Sequence, residues 1–239
     1  MRQTRIDFYT SKRLSLEGVF TLPDGLKTLP AGVVVCHPHP LLGGDMEHPL
    51  IVAICRAAQH EGIASLRFNF RGVGDSEGEF SGGDKEQDDL RAALDVFQQL
   101  DGVDRARIAI AGYSFGASVV LGGLQRYKAA RGMVMIAPPL SGLRKSKIAR
   151  DKRPKLFVAG QRDKIAPSAD LQSALDDVRP PVQFEEVPDA DHLLAGNEEA
   201  VTTRVVEFLL ATLGGEGREP TKHRQWREFG SWPLTPPKF

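Results

Sequence analysis

The sequence predicts an α/β fold: a doubly wound, mostly parallel sheet with helices on both faces. Three observations predict it. Short aliphatic runs such as Val33-Val34-Val35 and Met133-Val134-Met135-Ile136 recur along the chain, and a continuous apolar run marks a strand buried on both faces. Longer stretches with apolar residues at helical spacing lie between these runs, so strand and helix alternate. The chain opens differently, with two strand-like segments in direct succession, which suits an antiparallel pair at the flank of a mixed sheet.

That pair is Ile6-Asp7-Phe8-Tyr9 and Leu14 to Leu22, closed by the turn signal Pro23-Asp24-Gly25. Ala31 to Cys36 is a central strand. It runs into the loop His37-Pro38-His39-Pro40-Leu41-Leu42-Gly43-Gly44. A helix over 48–60 places Leu50, Ile51, Ile54, Ala57 and Ala58 on one face and stops at Gly62. Ile63 to Phe70 is the next strand, followed by the glycine-rich loop Arg71-Gly72-Val73-Gly74-Asp75-Ser76-Glu77-Gly78. A dinucleotide site needs G-x-G-x-x-G opening a helix, whereas this spacing is G-x-G-x-x-x-G and more loop follows, so these are turn glycines.

Helix signals resume at Asp84, with Gln87 three residues on as a capping-box partner, and Leu90, Ala93, Leu94, Phe97 and Leu100 form the apolar stripe. A strand over 106–111 leads to Ser114, and a helix of small residues over 117–124 follows. Gly132 to Ala137 is a further buried strand. Residues 138–154 form an excursion that is basic at its centre, Arg144-Lys145-Ser146-Lys147. Such a group either draws an anionic substrate or is a solvated loop face, and the second is the commoner use. Lys155 to Gly160 is a strand and 168–178 a helix. Val182 to Val187 is the last strand, polar enough for an edge. A final helix over 198–213 has Asn197 as N-cap and Gly214 as stop.

Composition narrows the function classes. The chain has 239 residues, 41% hydrophobic and 26% charged, which fits one domain with a large core. Lys plus Arg number 31 and Asp plus Glu 31, so no charge excess points to nucleic acid. Two cysteines, Cys36 and Cys55, lie in apolar surroundings, which argues against a disulfide framework and for a reducing, cytoplasmic compartment. The first residues lack the apolar stretch of a secretory leader, and no run approaches the roughly 18 apolar residues of a membrane span. His37-x-His39 resembles a metal pair, yet no Cys or carboxylate sits beside it at zinc-like spacing, so no metal is expected.

The chemistry gathers after three predicted strands. Gly112-Tyr113-Ser114-Phe115-Gly116 reads as a sharp strand-to-helix turn that exposes Ser114 beside a helix N-terminus. Asp163 follows the Lys155 strand. His192 follows the last strand in Asp189-Ala190-Asp191-His192-Leu193. In such sheets ligands bind at the strands' carboxyl ends. A serine hydroxyl needs a base, histidine can take and return its proton, and a carboxylate orients the imidazole. Asp189 and Asp191 are alternatives to Asp163, but their nearness to His192 in sequence turns their side chains elsewhere. An acyl-transfer site also needs oxyanion donors. Phe115 N–H is one, and the loop after Cys36 supplies the other. Pro38 and Pro40 cannot donate, so His39 N–H comes first and Leu41 second.

These residues carry a resemblance. Over roughly residues 5–213 the chain resembles the α/β-hydrolase superfamily, most of all the small bacterial hydrolases related to the dienelactone-hydrolase group. The shared motifs are His-Pro-His-Pro-x-x-Gly-Gly-x-Met at 37–46, Arg-Phe-Asn-Phe-Arg-Gly-Val-Gly-x-Ser-x-Gly at 67–78, and Gly-x-Ser-x-Gly at 112–116. The resemblance implies a mostly parallel eight-stranded sheet with helices on both faces and a minimal lid. It also implies the triad Ser114, Asp163 and His192, and no cofactor. Dienelactone hydrolases use a cysteine where Ser114 stands, so a serine carboxylesterase acting on small acyl esters is expected here. Thioester or amide cleavage, acyl transfer, and a binding role that merely keeps the fold remain open.

The domain is expected to span 1–214. The tail 215–239, with Trp226, Trp232 and four prolines, lies along the domain, clasps a second subunit, or frays. The protein is accordingly a monomer or a homodimer.

Overall fold

The computed structural model describes residues 2–26 and 28–214. The expectation for the Pro- and Trp-containing tail falls on 215–239, outside the described residues. Eight strands form one sheet: β1 (Arg2–Tyr9), β2 (Ser15–Leu22), β3 (Gly32–Cys36), β4 (Ala64–Phe68), β5 (Ile108–Tyr113), β6 (Ala130–Ile136), β7 (Lys155–Gly160) and β8 (Val182–Val187). Their order is β1-β2-β4-β3-β5-β6-β7-β8. β1 and β2 pair antiparallel, as do β2 and β4, and the remaining pairs are parallel.

The aliphatic runs are continuous because alternate residues enter two different cores. Val34, Cys36, Ile108, Ile110, Met133, Met135 and Phe157 face one side. There they meet Leu90, Ala93 and Phe97 of α2 (Glu86–Phe97), Val119 and Val120 of α3 (Phe115–Gly122), and Leu171 of α5 (Ser168–Leu175). Val33, Val35, Ala109, Ala111, Val134, Ile136 and Leu156 face the other, against α1 (Pro49–His60) and α6 (Glu198–Leu213). Burial of apolar area on both faces is the main favourable term for such a sheet. β8 is a sheet edge, with a half-buried pattern that matches its polar sequence.

Four local departures have physical causes. β4 stops at Phe68 rather than Phe70, because the Phe70 amide leaves the ladder and donates to the His37 side chain at Nε2. α2 begins at Glu86 without an Asp84–Gln87 capping box. The buried Glu86 carboxylate instead accepts from the Ser81 amide and hydroxyl and from the Gly83 amide. α3 begins at Phe115, directly after Ser114. Asn197 holds the N-cap position of α6, but its side chain bonds the Ala195 carbonyl and caps nothing.

The excursion after β6 is not structureless. It holds the short helix α4 (Leu140–Lys145) and a 3-10 turn at Ile148–Arg150, anchored by buried Leu143 and Ile148. It adds no separate cap. Among the described residues no helix is long and apolar enough to cross a membrane. Cys36 and Cys55 are both buried and free, and burial raises both thiols, Cys55 to about 11.

The sheet order places the site. From β3 the chain goes to β4 on one side and β5 on the other. That reversal makes the carboxyl ends of β3 and β5 the switch point of the sheet, the place where ligands bind in open α/β sheets.

Candidate active site

Ser114 stands at this switch point, between the end of β5 and the start of α3. Its backbone, with φ 50° and ψ −106°, lies in a region that side-chain-bearing residues rarely adopt. The Ser114 amide donates to the Ile136 carbonyl at 2.8 Å, which helps hold the turn. Two glycines permit it. A Cβ on Gly112 would sit 2.6 Å from Gly116 backbone, and one on Gly116 would sit 2.6 Å from the Cys36 carbonyl oxygen. Those distances are unavailable to real side chains, so both positions require glycine for α3 to lie this close to β3.

The three loops bring the expected side chains together. Ser114 Oγ lies 2.9 Å from His192 Nε2, and His192 Nδ1 lies 2.7 Å from Asp163 Oδ2. The other Asp163 oxygen accepts from the Ile165 and Ala166 amides, each at 2.8 Å. The carboxylate is fully buried, and an ionised carboxylate only accepts. The Nδ1 nitrogen of His192 therefore carries the proton, and the Nε2 lone pair faces the serine hydroxyl. The geometry can move a proton from Ser114 to His192 and stabilise the imidazolium that results.

The other two acids near His192 do different work. Asp189, at φ 58°, is exposed and pairs with Arg162. Asp191 accepts from the Leu193 amide at 2.9 Å and closes a local turn. Neither reaches the imidazole through these bonds.

The loop after β3 forms the opposite wall. His37 is fully buried, its Nδ1 donating to the Pro38 carbonyl at 2.7 Å and its Nε2 accepting from the Phe70 amide at 3.1 Å. Burial lowers its pKa to about 4, so it is a neutral hydrogen-bonded strut. Met46 N–H donates to Asn69 Oδ1 at 2.8 Å, a second tie between this loop and the residues after β4. The His39 carbonyl accepts from the Leu42 and Gly44 amides at 3.0 Å, which curls the chain into a tight turn. The His39 ring packs beside Phe80 and Phe115, at centroid distances of 5.1 and 5.2 Å. Among the described residues the His39 amide has no acceptor. The Phe115 amide, first in α3, has none within its helix. Leu41 lies within the 3-10 turn Pro40–Leu42 and points its side chain to solvent.

Three residues that the sequence did not single out also shape the site. The Tyr113 hydroxyl donates to the His192 and Leu193 carbonyls, and burial pushes its pKa up to about 12. Gly160 lets the histidine loop cross the end of β7, since a Cβ there would lie 2.5 Å from the Ala190 and Asp191 carbonyl oxygens. His48 caps α1 by accepting from the Leu50 amide at 3.3 Å, and its ring rests 5.4 Å from that of Tyr113. No sequence pattern marks these roles, because each depends on a partner from a distant segment.

Known proteins share this architecture. The chain is 28% identical over 185 residues to an uncharacterized protein of Rickettsia prowazekii, covering 74% of this chain and 77% of that one. An alpha-beta serine hydrolase homologue from Coxiella burnetii superposes with a TM-score of 0.75 at 28% identity, over 87% of this chain and 97% of that one. A serine hydrolase from Xanthomonas campestris, described as lacking a lid, gives 0.78 at 26% identity, over 91% and 98%. A putative alpha/beta hydrolase from Agrobacterium tumefaciens gives 0.79 at 29%, over 91% and 100%. The alpha/beta hydrolase domain family matches residues 33–208, most of the described chain and every strand from β3 to β8, and the protein belongs to that family.

Proposed function

We propose that the protein is a serine carboxylesterase that cleaves small acyl esters through an acyl-enzyme on Ser114. The observation that carries this reading is the hydrogen-bonded series Ser114–His192–Asp163, at 2.9 and 2.7 Å. His192 Nε2 accepts the hydroxyl proton as Oγ bonds to the carbonyl carbon. The developing oxyanion is held by the amides of Phe115 and His39. The carbon–alkoxide bond then breaks, and the alcohol leaves with the proton from His192. Water next gives a proton to His192 and its oxygen to the acyl carbon. Collapse of that intermediate returns the proton to Ser114 and releases the acid.

Asp163 is the orienting carboxylate rather than Asp189 or Asp191, because only its oxygen meets Nδ1. His39 serves better than Leu41 as second donor, because its free amide precedes the 3-10 turn beside Phe115. No cofactor enters these steps. The free cysteines fit a reducing cytoplasm. Turnover of chromogenic acetyl, butyryl and long-chain esters by wild type and Ser114→Ala tests the reading. Loss of activity in the variant is expected, and equal rates in the two proteins would sink the mechanism.

A further inference from the structure

The exposed apolar side chains are unevenly placed. Leu41, Leu42, Ile165 and Leu193 are 73%, 84%, 62% and 63% exposed, and all four lie in the loops of the candidate site. Elsewhere among the described residues only Tyr9, Leu26 and Leu29 are large, apolar and exposed. One exposed leucine needs no explanation, but a concentration around a reactive hydroxyl does.

The chemistry divides this rim. A departing alkoxide must collect its proton from His192 Nε2, so it lies on the His192 side of Ser114. Ile165, two residues after Asp163, and Leu193, next after His192, are the exposed apolar residues of the two loops that carry the partners of Ser114. The Ile165 amide is pinned to Asp163 at 2.8 Å. The Leu193 amide is held by Asp191 at 2.9 Å and its carbonyl by the Tyr113 hydroxyl at 3.1 Å. Both backbones are thus fixed by bonds that do not involve their side chains, and those side chains turn to solvent instead of the core. Leu41 and Leu42 lie in the loop after β3, a strand on the opposite side of β5 from β7 and β8.

We infer that Ile165 and Leu193 form an apolar shelf for the alcohol part of the substrate, so that esters of apolar alcohols are preferred. The inference rests on the ester-hydrolase reading above. Contact on an open shelf covers about half of a chain, so the gain is about twofold per methylene rather than the roughly fourfold of full burial.

Two ester series test it. One varies the alcohol, from methyl to hexyl butyrate, and the other varies the acid, from ethyl acetate to ethyl octanoate. In wild type, kcat/KM is expected to climb about twofold per methylene of the alcohol. In the Ile165→Ser, Leu193→Ser double variant that climb flattens, while the dependence on acyl length keeps its wild-type slope. Leu29→Ser, exposed just before the opposite end of β3, keeps both slopes. An alcohol slope that is flat in active wild type, or unchanged in the double variant, overturns the shelf alone. So does a loss that falls equally on both series. A wild type that turns over no ester overturns the hydrolase reading and the shelf with it.

Discussion

The Tyr113 hydroxyl is bonded to the backbone of His192. It donates to the His192 carbonyl at 2.9 Å and to the Leu193 carbonyl at 3.1 Å. Tyr113 directly precedes Ser114, so one short segment holds both the serine hydroxyl and the loop that bears His192. Tyr113 is buried, and its raised pKa keeps it a donor across the neutral range.

Tyr113→Phe removes this tether and little volume. The expected result is a fall in kcat of about tenfold, as His192 drifts from its hydrogen bond to Ser114. KM for small esters stays within about twofold, since no substrate contact is lost. Two carbonyls lose a donor, at a cost on the order of 1–2 kcal/mol in stability. Steady-state kinetics and thermal melts separate the two effects. A rise in KM with kcat intact contradicts the positioning role.

The three acids near His192 separate by mutation. Asp163→Asn is expected to lower kcat by about 10⁴, because an amide no longer enforces the Nδ1-protonated tautomer. Asp189→Ala loses only an exposed ion pair with Arg162 and changes kcat by less than about threefold. Asp191→Ala loosens the Leu193 turn and falls between them. A ranking with Asp191 or Asp189 above Asp163 contradicts the assignment.

His37 sets a pH dependence of stability. Its folded pKa is about 4, below the ordinary value of 6.5, because burial disfavours the charged ring. Its contribution is therefore fully present above pH 6.5 and is lost as the pH falls toward 4. Integrated over that window it amounts to roughly 3 kcal/mol. His48 is shifted in the same direction, again mainly by burial. Urea unfolding of wild type and His37→Gln, followed by circular dichroism between pH 4 and 8, checks this. The variant is expected to show a shallower loss on the acid side, and an unchanged slope contradicts it.

Gly160→Ala probes the crossing of two loops. The new methyl would meet the Ala190 and Asp191 carbonyl oxygens at 2.5 Å. The overlap displaces the His192 loop and costs about 1–3 kcal/mol. For a chain of this size that lowers Tm by about 2–12 °C, and kcat falls with it. A variant with wild-type melting and kinetics would show that the loop shifts freely.

How far the sequence disclosed the site follows from what each feature depends on. The runs Val33-Val34-Val35 in β3 and Met133-Val134-Met135-Ile136 in β6 mark strands because both faces are buried there, and the mixed pattern of β8 marks an edge. The order Ser114, Asp163, His192 was legible because each residue follows a recognisable strand. The choice of Asp163 over its neighbours followed from chain stiffness near His192. What stayed hidden depends on contacts across the fold. Nothing near Tyr113 in sequence announces a bond to residues 192 and 193. Glu86 overrides the expected cap of α2 because a loop folds back onto its carboxylate. His37, half of an apparent metal pair, has both ring nitrogens bonded to backbone groups. Within 138–154, α4 leaves no mark in the sequence because six residues are too few to display a helical period.

The most direct test of the central claim is covalent capture of Ser114. The protein is treated with a fluorophosphonate, digested, and its modified peptide identified by mass spectrometry, with residual ester turnover measured on the same sample. A single adduct on Ser114, loss of turnover in step with labelling, and no adduct in Ser114→Ala are expected. Labelling of a different residue, or full turnover by protein whose Ser114 is wholly modified, would contradict it.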